Sequence, residues 1–151
     1  DWEIQQRVRR LTPDEIPALT HKASGGSVLA QTTLGLAYRE GIERAGDGSK
    51  GRTLRFKASN IQAFKWLKKA ADSGFPVAQT ELGEMYYKAH GVDRNLHQAA
   101  YWLEQAAAAD YPRAKLDLLQ VQIETGITPA NPPDAASSLF RSLSGVRGAG
   151  L

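Results

Sequence analysis

The sequence predicts an all-α fold: a right-handed superhelix of about three stacked helical hairpins, without a sheet. Two observations predict it. The first is a block that recurs after 36 residues. Ala78-Gln79-Thr80-Glu81-Leu82-Gly83-Glu84-Met85-Tyr86 opens one copy, whose second half holds Ala99, Trp102-Leu103 and Ala106-Ala107. That second half already stands 36 residues upstream as Ala63, Trp66-Leu67 and Ala70-Ala71. The opening half also occurs earlier, as Ala30-Gln31-Thr32-Thr33-Leu34-Gly35-Leu36-Ala37-Tyr38. It lies 48 residues upstream, so this copy carries a 12-residue insertion. A fixed period of this length marks one helical hairpin per repeat, each stacked on its neighbour. The second observation is local: each half has apolar residues at helical spacing, and the links leave room only for an antiparallel turn.

Taken in order, residues 1–11 place Ile4, Val8 and Leu11 on one helical face. Thr12-Pro13-Asp14-Glu15 has the spacing of a capping box with proline at the first helical position, and Pro17 is expected to disrupt the second turn. Leu19, Ala23 and Gly26 match only the second half of a repeat. Ser59 is the expected cap of the helix that carries Ala63, Trp66 and Leu67, and Asp72-Ser73-Gly74-Phe75-Pro76 is its exit link. Pro76 then suits a first turn, and Ala78, Leu82, Met85 and Tyr86 mark one buried face. Gly91 is the expected stop and Asn95 the next cap, ahead of Leu96, Ala99, Ala100, Leu103, Ala106 and Ala107. Ala109-Asp110-Tyr111-Pro112 leads into a third copy, beginning at Ala114 and keeping Leu118, where Leu119 replaces glycine and Gln122 replaces tyrosine. Asn131-Pro132-Pro133-Asp134 reads as one more helix start, with Ala136, Leu139, Phe140 and Leu143 inward. The domain boundaries that follow are a cap and partial repeat over 1–29, a repeat over 30–77 with its insertion at 42–58, and a repeat over 78–113. A degenerate repeat with a C-terminal capping helix covers 114–144, and a glycine-rich tail 145–151.

Gly35 and Gly83 need a reason to stand inside helices, where glycine costs about 1 kcal/mol relative to alanine. Close approach of the second helix of the hairpin supplies one, with Ala63, Ala70, Ala99 and Ala106 as the small residues opposite. Trp66 and Trp102 fill space between helices.

The string Ala-Gln-x-x-Leu-Gly-x-x-Tyr, followed by Ala-x-x-Trp-Leu-x-x-Ala-Ala, resembles the Sel-1-like repeat family, whose units are similar to tetratricopeptide repeats. The resemblance is strong at 30–41, 59–77 and 78–113. It implies a binding scaffold in which the first helix of each repeat lines a concave groove. By that analogy the groove residues are Leu29, Thr32, Leu36, Arg39 and Glu40 in the first copy and Val77, Thr80, Glu84, Tyr87 and Lys88 in the second. The third copy adds Arg113, Leu116, Gln120, Ile123 and Glu124. Such a mixture suits a protein or peptide partner. Two other readings stay open: the chain's own C-terminal helix fills the groove, or solvent does.

Composition narrows the classes. With 42% hydrophobic and 23% charged residues the chain is an ordinary globular one of single-domain length. No apolar run approaches the ~20 residues that span a bilayer. The absence of cysteine removes disulfides and thiolate metal sites. The net charge of +3 is carried entirely by residues 42–58, where five basic residues face two acidic ones. A basic loop on a neutral body argues against a dedicated nucleic-acid binder. Within it, Arg52, Arg55 and Lys57 are a secondary candidate surface for an acidic partner. Leu54 and Phe56 alternate with the basic residues, as a short strand-like clasp or an added helical turn.

No catalytic constellation is legible. His21, His90 and His97 lack the cysteine or carboxylate company of a metal site, and no nucleophile elbow or phosphate-binding motif is present. Gly46-Asp47-Gly48-Ser49-Lys50-Gly51 has neither the spacing nor the preceding strand of a phosphate loop. Glu81 and Glu84 read as ordinary surface glutamates of a helix. The expectation is therefore a non-catalytic interaction module or assembly scaffold, without cofactor or metal. The alternative is an enzyme, or a regulatory domain of one, with a site built from groove residues. A first residue other than Met and the lack of cysteine favour an exported bacterial protein over a cytoplasmic one.

Overall fold

The computed structural model describes residues 2–44 and 54–126. Helix α1 (Trp2–Arg10) is followed by a 3-10 turn (Pro13–Glu15), α2 (Ile16–Ser24) and α3 (Val28–Glu40). Strands β1 (Ile42–Arg44) and β2 (Leu54–Phe56) come next, then α4 (Asn60–Asp72), α5 (Pro76–Lys88), α6 (Leu96–Ala108) and α7 (Pro112–Thr125). Helix α1 packs on α3, from α3 onward each helix packs on the one before it, and α5 also packs on α7. The fold is the all-α helical-repeat superhelix, with hairpins α3–α4 and α5–α6 and the first helix of a third.

Local sequence dictates the helix ends. Ser59 and Asn95 accept hydrogen bonds from the backbone N–H of Gln62 and Gln98, at 3.4 and 3.0 Å. Each satisfies one of the orphan donors of a first turn. Asn95→Ala is therefore expected to lower stability by about 1 kcal/mol in a urea titration. The Glu15 carboxylate accepts from the Thr12 N–H at 2.7 Å, as the capping-box spacing requires. Pro17 disrupts nothing, because a 3-10 turn precedes it and Ile16 starts a new helix. There its missing N–H is one that lacks a helical partner in any case. Helix α5 ends earlier than Gly91, at an Ala89 cap in the left-handed region (φ 59°).

Two repeat signatures acquire a physical cause. The amides of Gln31 and Gln79 donate to the carbonyls of Ala23 and Ala71, at 3.0 and 3.3 Å. Each stitches the first helix of a repeat to the end of the helix before it. At Gly35 and Gly83 an added Cβ would lie 2.6 Å from Leu67 Cγ and 2.7 Å from Leu103 Cγ. The glycines are there because a leucine of the second helix occupies that space. Trp102 is buried between α4 and α6 with Lys68 over its ring, and its indole N–H has no partner among the described residues.

The expectation of no sheet needs one amendment, since the insertion begins and ends as a two-stranded antiparallel ribbon with Ile42 opposite Phe56. Of the two local forms open to Leu54 and Phe56, the strand is the one adopted. A lone ribbon is marginal in water, and this one is held at its base. Phe56 lies 4.7 Å from the Tyr38 ring, and Ile42 and Phe56 pack on the cluster of Leu11, Ile16 and Leu34. The Ser59 N–H donates to the Tyr38 carbonyl at 2.7 Å and closes the insertion. Arg52, the expected C-terminal capping helix and the tail lie outside the described residues.

Candidate functional site

Helices α3, α5 and α7 are the first helices of their repeats, and they carry the predicted site. Part of the prediction is corrected. Thr32, Leu36 and Thr80, expected to face a groove, have no exposed surface, and Val77 is also buried. The threonine hydroxyls turn back to their own helix, donating to the carbonyls of Val28 and Pro76 at 2.9 and 2.8 Å. Leu36 and Val77 are covered by Ile4 and Val8 of α1. The segment seated on this face is thus the N-terminal helix, in a place the sequence reading had allowed to the C-terminal one.

The other predicted residues come together. Glu81 is the organising group, fully buried, which corrects its reading as a surface residue. Arg39 of α3 donates to its Oε2 through Nη1. Arg113 of α7 reaches its Oε1 at 2.6 Å and Glu84 Oε2 at 2.7 Å, so one guanidinium spans both carboxylates. Glu84 also accepts from Lys88 one turn on, and Asp117 lies 3.7 Å from Arg113 Nε. Arg39, expected to line the groove, is therefore half-buried and engaged with Glu81. Tyr87 is half-buried too, packed with the cluster of Leu103 and Val121, with Arg94 over its ring. Lys88 and Gln120 are exposed. Arg55 and Lys57 are exposed, on and just after β2.

Two openings meet here. One of about 210 Å³ lies between α5 and α7, with Tyr87, Asp117, Gln120 and Val121 in its wall. The other, about 380 Å³, is bounded by Arg39, Asn60, Met85 and His90. Glu84 and Lys88 line both. No trio of His, Asp or Glu among the described residues is arranged to hold a metal ion, and no described helix is long and apolar enough to cross a membrane.

The carboxyls split in acidity. Burial acts to raise Glu84, but the hydrogen bond from Lys88 and the charges of Arg113, Lys88 and Arg39 outweigh it, leaving it below its ordinary range. Asp117 is raised by burial and by Glu84, against the pull of Arg113. For Glu84 the folded state thus binds its proton more weakly than the unfolded chain. Its stabilising contribution is whole above the ordinary glutamate range, roughly pH 4, and is lost as pH falls through the lower folded value. Thermal melts of wild type and Glu84→Gln should therefore differ at pH 7 and converge as pH falls below about 4. A gap that stays constant down to pH 3 would show that Glu84 is not held as described.

Similarity to known proteins agrees with this architecture. The Sel1 repeat model matches residues 28–75 and 76–111. A 52-residue stretch, 34% of this chain and 8% of the relative, is 41% identical to the chitin synthase regulator SKT5 of Saccharomyces cerevisiae. Among solved structures, a protective antigen of uropathogenic Escherichia coli strains with an SLR fold superposes at a TM-score of 0.60, with 30% identity. The match covers 75% of this chain and 21% of the antigen. A Sel1 repeat protein from Oxalobacter formigenes gives 0.58 and 28% identity, over 74% of this chain and 29% of that one. All three relatives are matched over less than a third of their length. The hairpins, the glycines under their leucines and the match over residues 28–111 together place this chain in the Sel1 repeat family.

Proposed function

We propose that this chain is a non-catalytic interaction module that binds a protein or peptide along the strip from Arg39 through Glu84, Tyr87 and Lys88 to Gln120. The observation that carries the reading is the meeting of two openings at Glu84 and Lys88. In their walls stand Tyr87 and Arg39, residue types on which interfaces concentrate their binding energy. Membership of a repeat family and kinship with a regulator support the interaction role. In the strip the buried Glu81 network is the rigid floor, and Lys88 and Gln120 are the groups open to a partner.

The test is affinity capture from the native host with the chain as bait, comparing wild type with Lys88→Glu/Gln120→Glu. Both side chains are exposed, so stability should change by no more than ~1 kcal/mol, while capture falls at least tenfold, about 1.4 kcal/mol. A parallel variant, Arg52→Gln/Arg55→Gln/Lys57→Gln, should capture as wild type does. If this variant instead loses capture, and with it the salt dependence, the partner binds the basic insertion. Unchanged capture by the Lys88/Gln120 variant would overturn the strip.

A further inference from the structure

One face of helix α7 has no cover among the described residues. Leu116, Leu119 and Ile123 stand at i, i+3 and i+7 along it, and Leu116 is 69% exposed and Ile123 57%. The same positions in α5 are Thr80, Gly83 and Tyr87, and there they are covered. Thr80 has no exposed surface, Gly83 lies under Leu103, and Tyr87 packs with Leu96 and Leu103. In α3, Thr32 is likewise buried and Gly35 lies under Leu67. The third copy thus carries the most apolar version of this face, where nothing described lies upon it. Leaving such a face in water is unfavourable.

The chain itself supplies an occupant. The family match stops at residue 111, but the 36-residue register of the second helices continues past it. Ser59 and Asn95, the caps of α4 and α6, are followed by Asn131. Ala63 and Ala99 are followed by Ala135, Leu67 and Leu103 by Leu139, and Ala70 and Ala106 by Ser142. Every one of these alanines and leucines in α4 and α6 is buried. Pro132 and Pro133 fall in the first turn, where their missing N–H groups would be unpaired in any case. Gly126 ends α7 with φ 69°, and residues 126–131 make a link of ordinary length for a helical hairpin. We propose that residues 132–144, outside the described residues, are the second helix of a third repeat, seated on the Leu116–Leu119–Ile123 face with Leu139 against Leu119. Leucine in place of glycine at 119 holds this helix further from α7 than α6 is from α5. The seat closes the apolar end of the stack, as a terminal repeat requires. It uses no residue of the strip around Glu84 and Lys88, so the two stand or fall separately.

The experiment uses the full chain, which has no cysteine, so two introduced thiols report only on each other. Leu119→Cys/Leu139→Cys shortens both leucines and puts the thiols where Gly83 and Leu103 meet in the second copy, within disulfide reach. Mild oxidation at low protein concentration should close an intramolecular bond, identified by mass spectrometry of the linked peptides. It should close at least tenfold faster than in Leu119→Cys/Arg141→Cys, since position 141 answers to Lys69 and Gln105, both exposed. Amide hydrogen exchange gives an answer without thiols. In the wild-type chain the amides of 135–143 should exchange at least a hundredfold slower than in an unfolded chain, and Leu139→Asp should abolish that protection while α5 keeps its own. Equal closure rates in the two cysteine pairs, unprotected wild-type amides at 135–143, or protection there that survives Leu139→Asp would each overturn the proposal. So would a disulfide formed between chains, which would give the face to a second copy. Should Leu139→Asp unfold α5 as well, the thiol pairs and the wild-type exchange decide.

Discussion

Replacing Arg39 and Arg113 together with alanine is expected to lower stability by about 3–5 kcal/mol, the cost of leaving a buried charge without its partners. Glu81 has no exposed surface, and its two carboxylate oxygens are taken by these two guanidinium groups. Either single substitution leaves one cation in place and should have the smaller effect. The mechanism has its own control within the sequence. Thr33 occupies the position of Glu81 in the first repeat, where its hydroxyl donates to the Leu29 carbonyl at 2.7 Å. Adding Glu81→Thr to the double alanine variant removes the stranded charge and should recover most of the loss. Urea titrations of wild type, the two single variants, the double and the triple measure this. If the triple variant is no more stable than the double, the arginines act through packing and not through the Glu81 charge.

Gly83→Leu is expected to destabilise by about 1–3 kcal/mol through overpacking. The first added atom alone would lie 2.7 Å from Leu103 Cγ and 3.2 Å from the Ala99 carbonyl. Cγ is the branch point of the leucine, close to the backbone, so rotation of a side-chain end cannot relieve the clash. Helices α5 and α6 have to move apart, and that loosens the contacts of Leu82 and Leu103 with their neighbours. Gly35→Leu should behave alike, since its Cβ would meet Leu67 at 2.6 Å. The third copy makes the comparison natural, because leucine already stands at position 119, and no described helix pairs with α7 there as α4 and α6 pair with α3 and α5. Thermal melts decide the matter. An unchanged melting temperature in Gly83→Leu would mean that the hairpin does not close on this residue.

Much of this was legible because it is local and repeated. A period of 36 residues announces hairpins, and Ser59 and Asn95 cap helices wherever those helices end up, since capping involves only the next three residues. The glycines could be explained in advance because a helix interior admits few reasons for one. The site was legible only in part. Arg39, Glu84, Tyr87, Lys88, Arg113 and Gln120 were picked from their places on first helices, and they do gather. Thr32, Leu36 and Thr80 were picked by the same rule and are buried, because periodicity names a face of a helix without saying what lies upon it. One signal for Glu81 was available: the same position holds Thr33 and Asp117 in the flanking copies, polar each time and directly before a leucine.

By itself, then, the amino-acid sequence determined the helices, their caps, the hairpin pairing and the family, since each of these depends on residues within one or two repeat lengths. Tertiary structure alone decided what covers what. Arg39, Glu81 and Arg113 come from three different helices, α3, α5 and α7, 42 and 32 residues apart, and meet only once these helices lie side by side. Helix α1 reaches Val77 across a separation that no periodic pattern records. The burial of a charge, and the occupant of a face, are properties of contacts distant in the chain, and an amphipathic pattern carries no address for its partner.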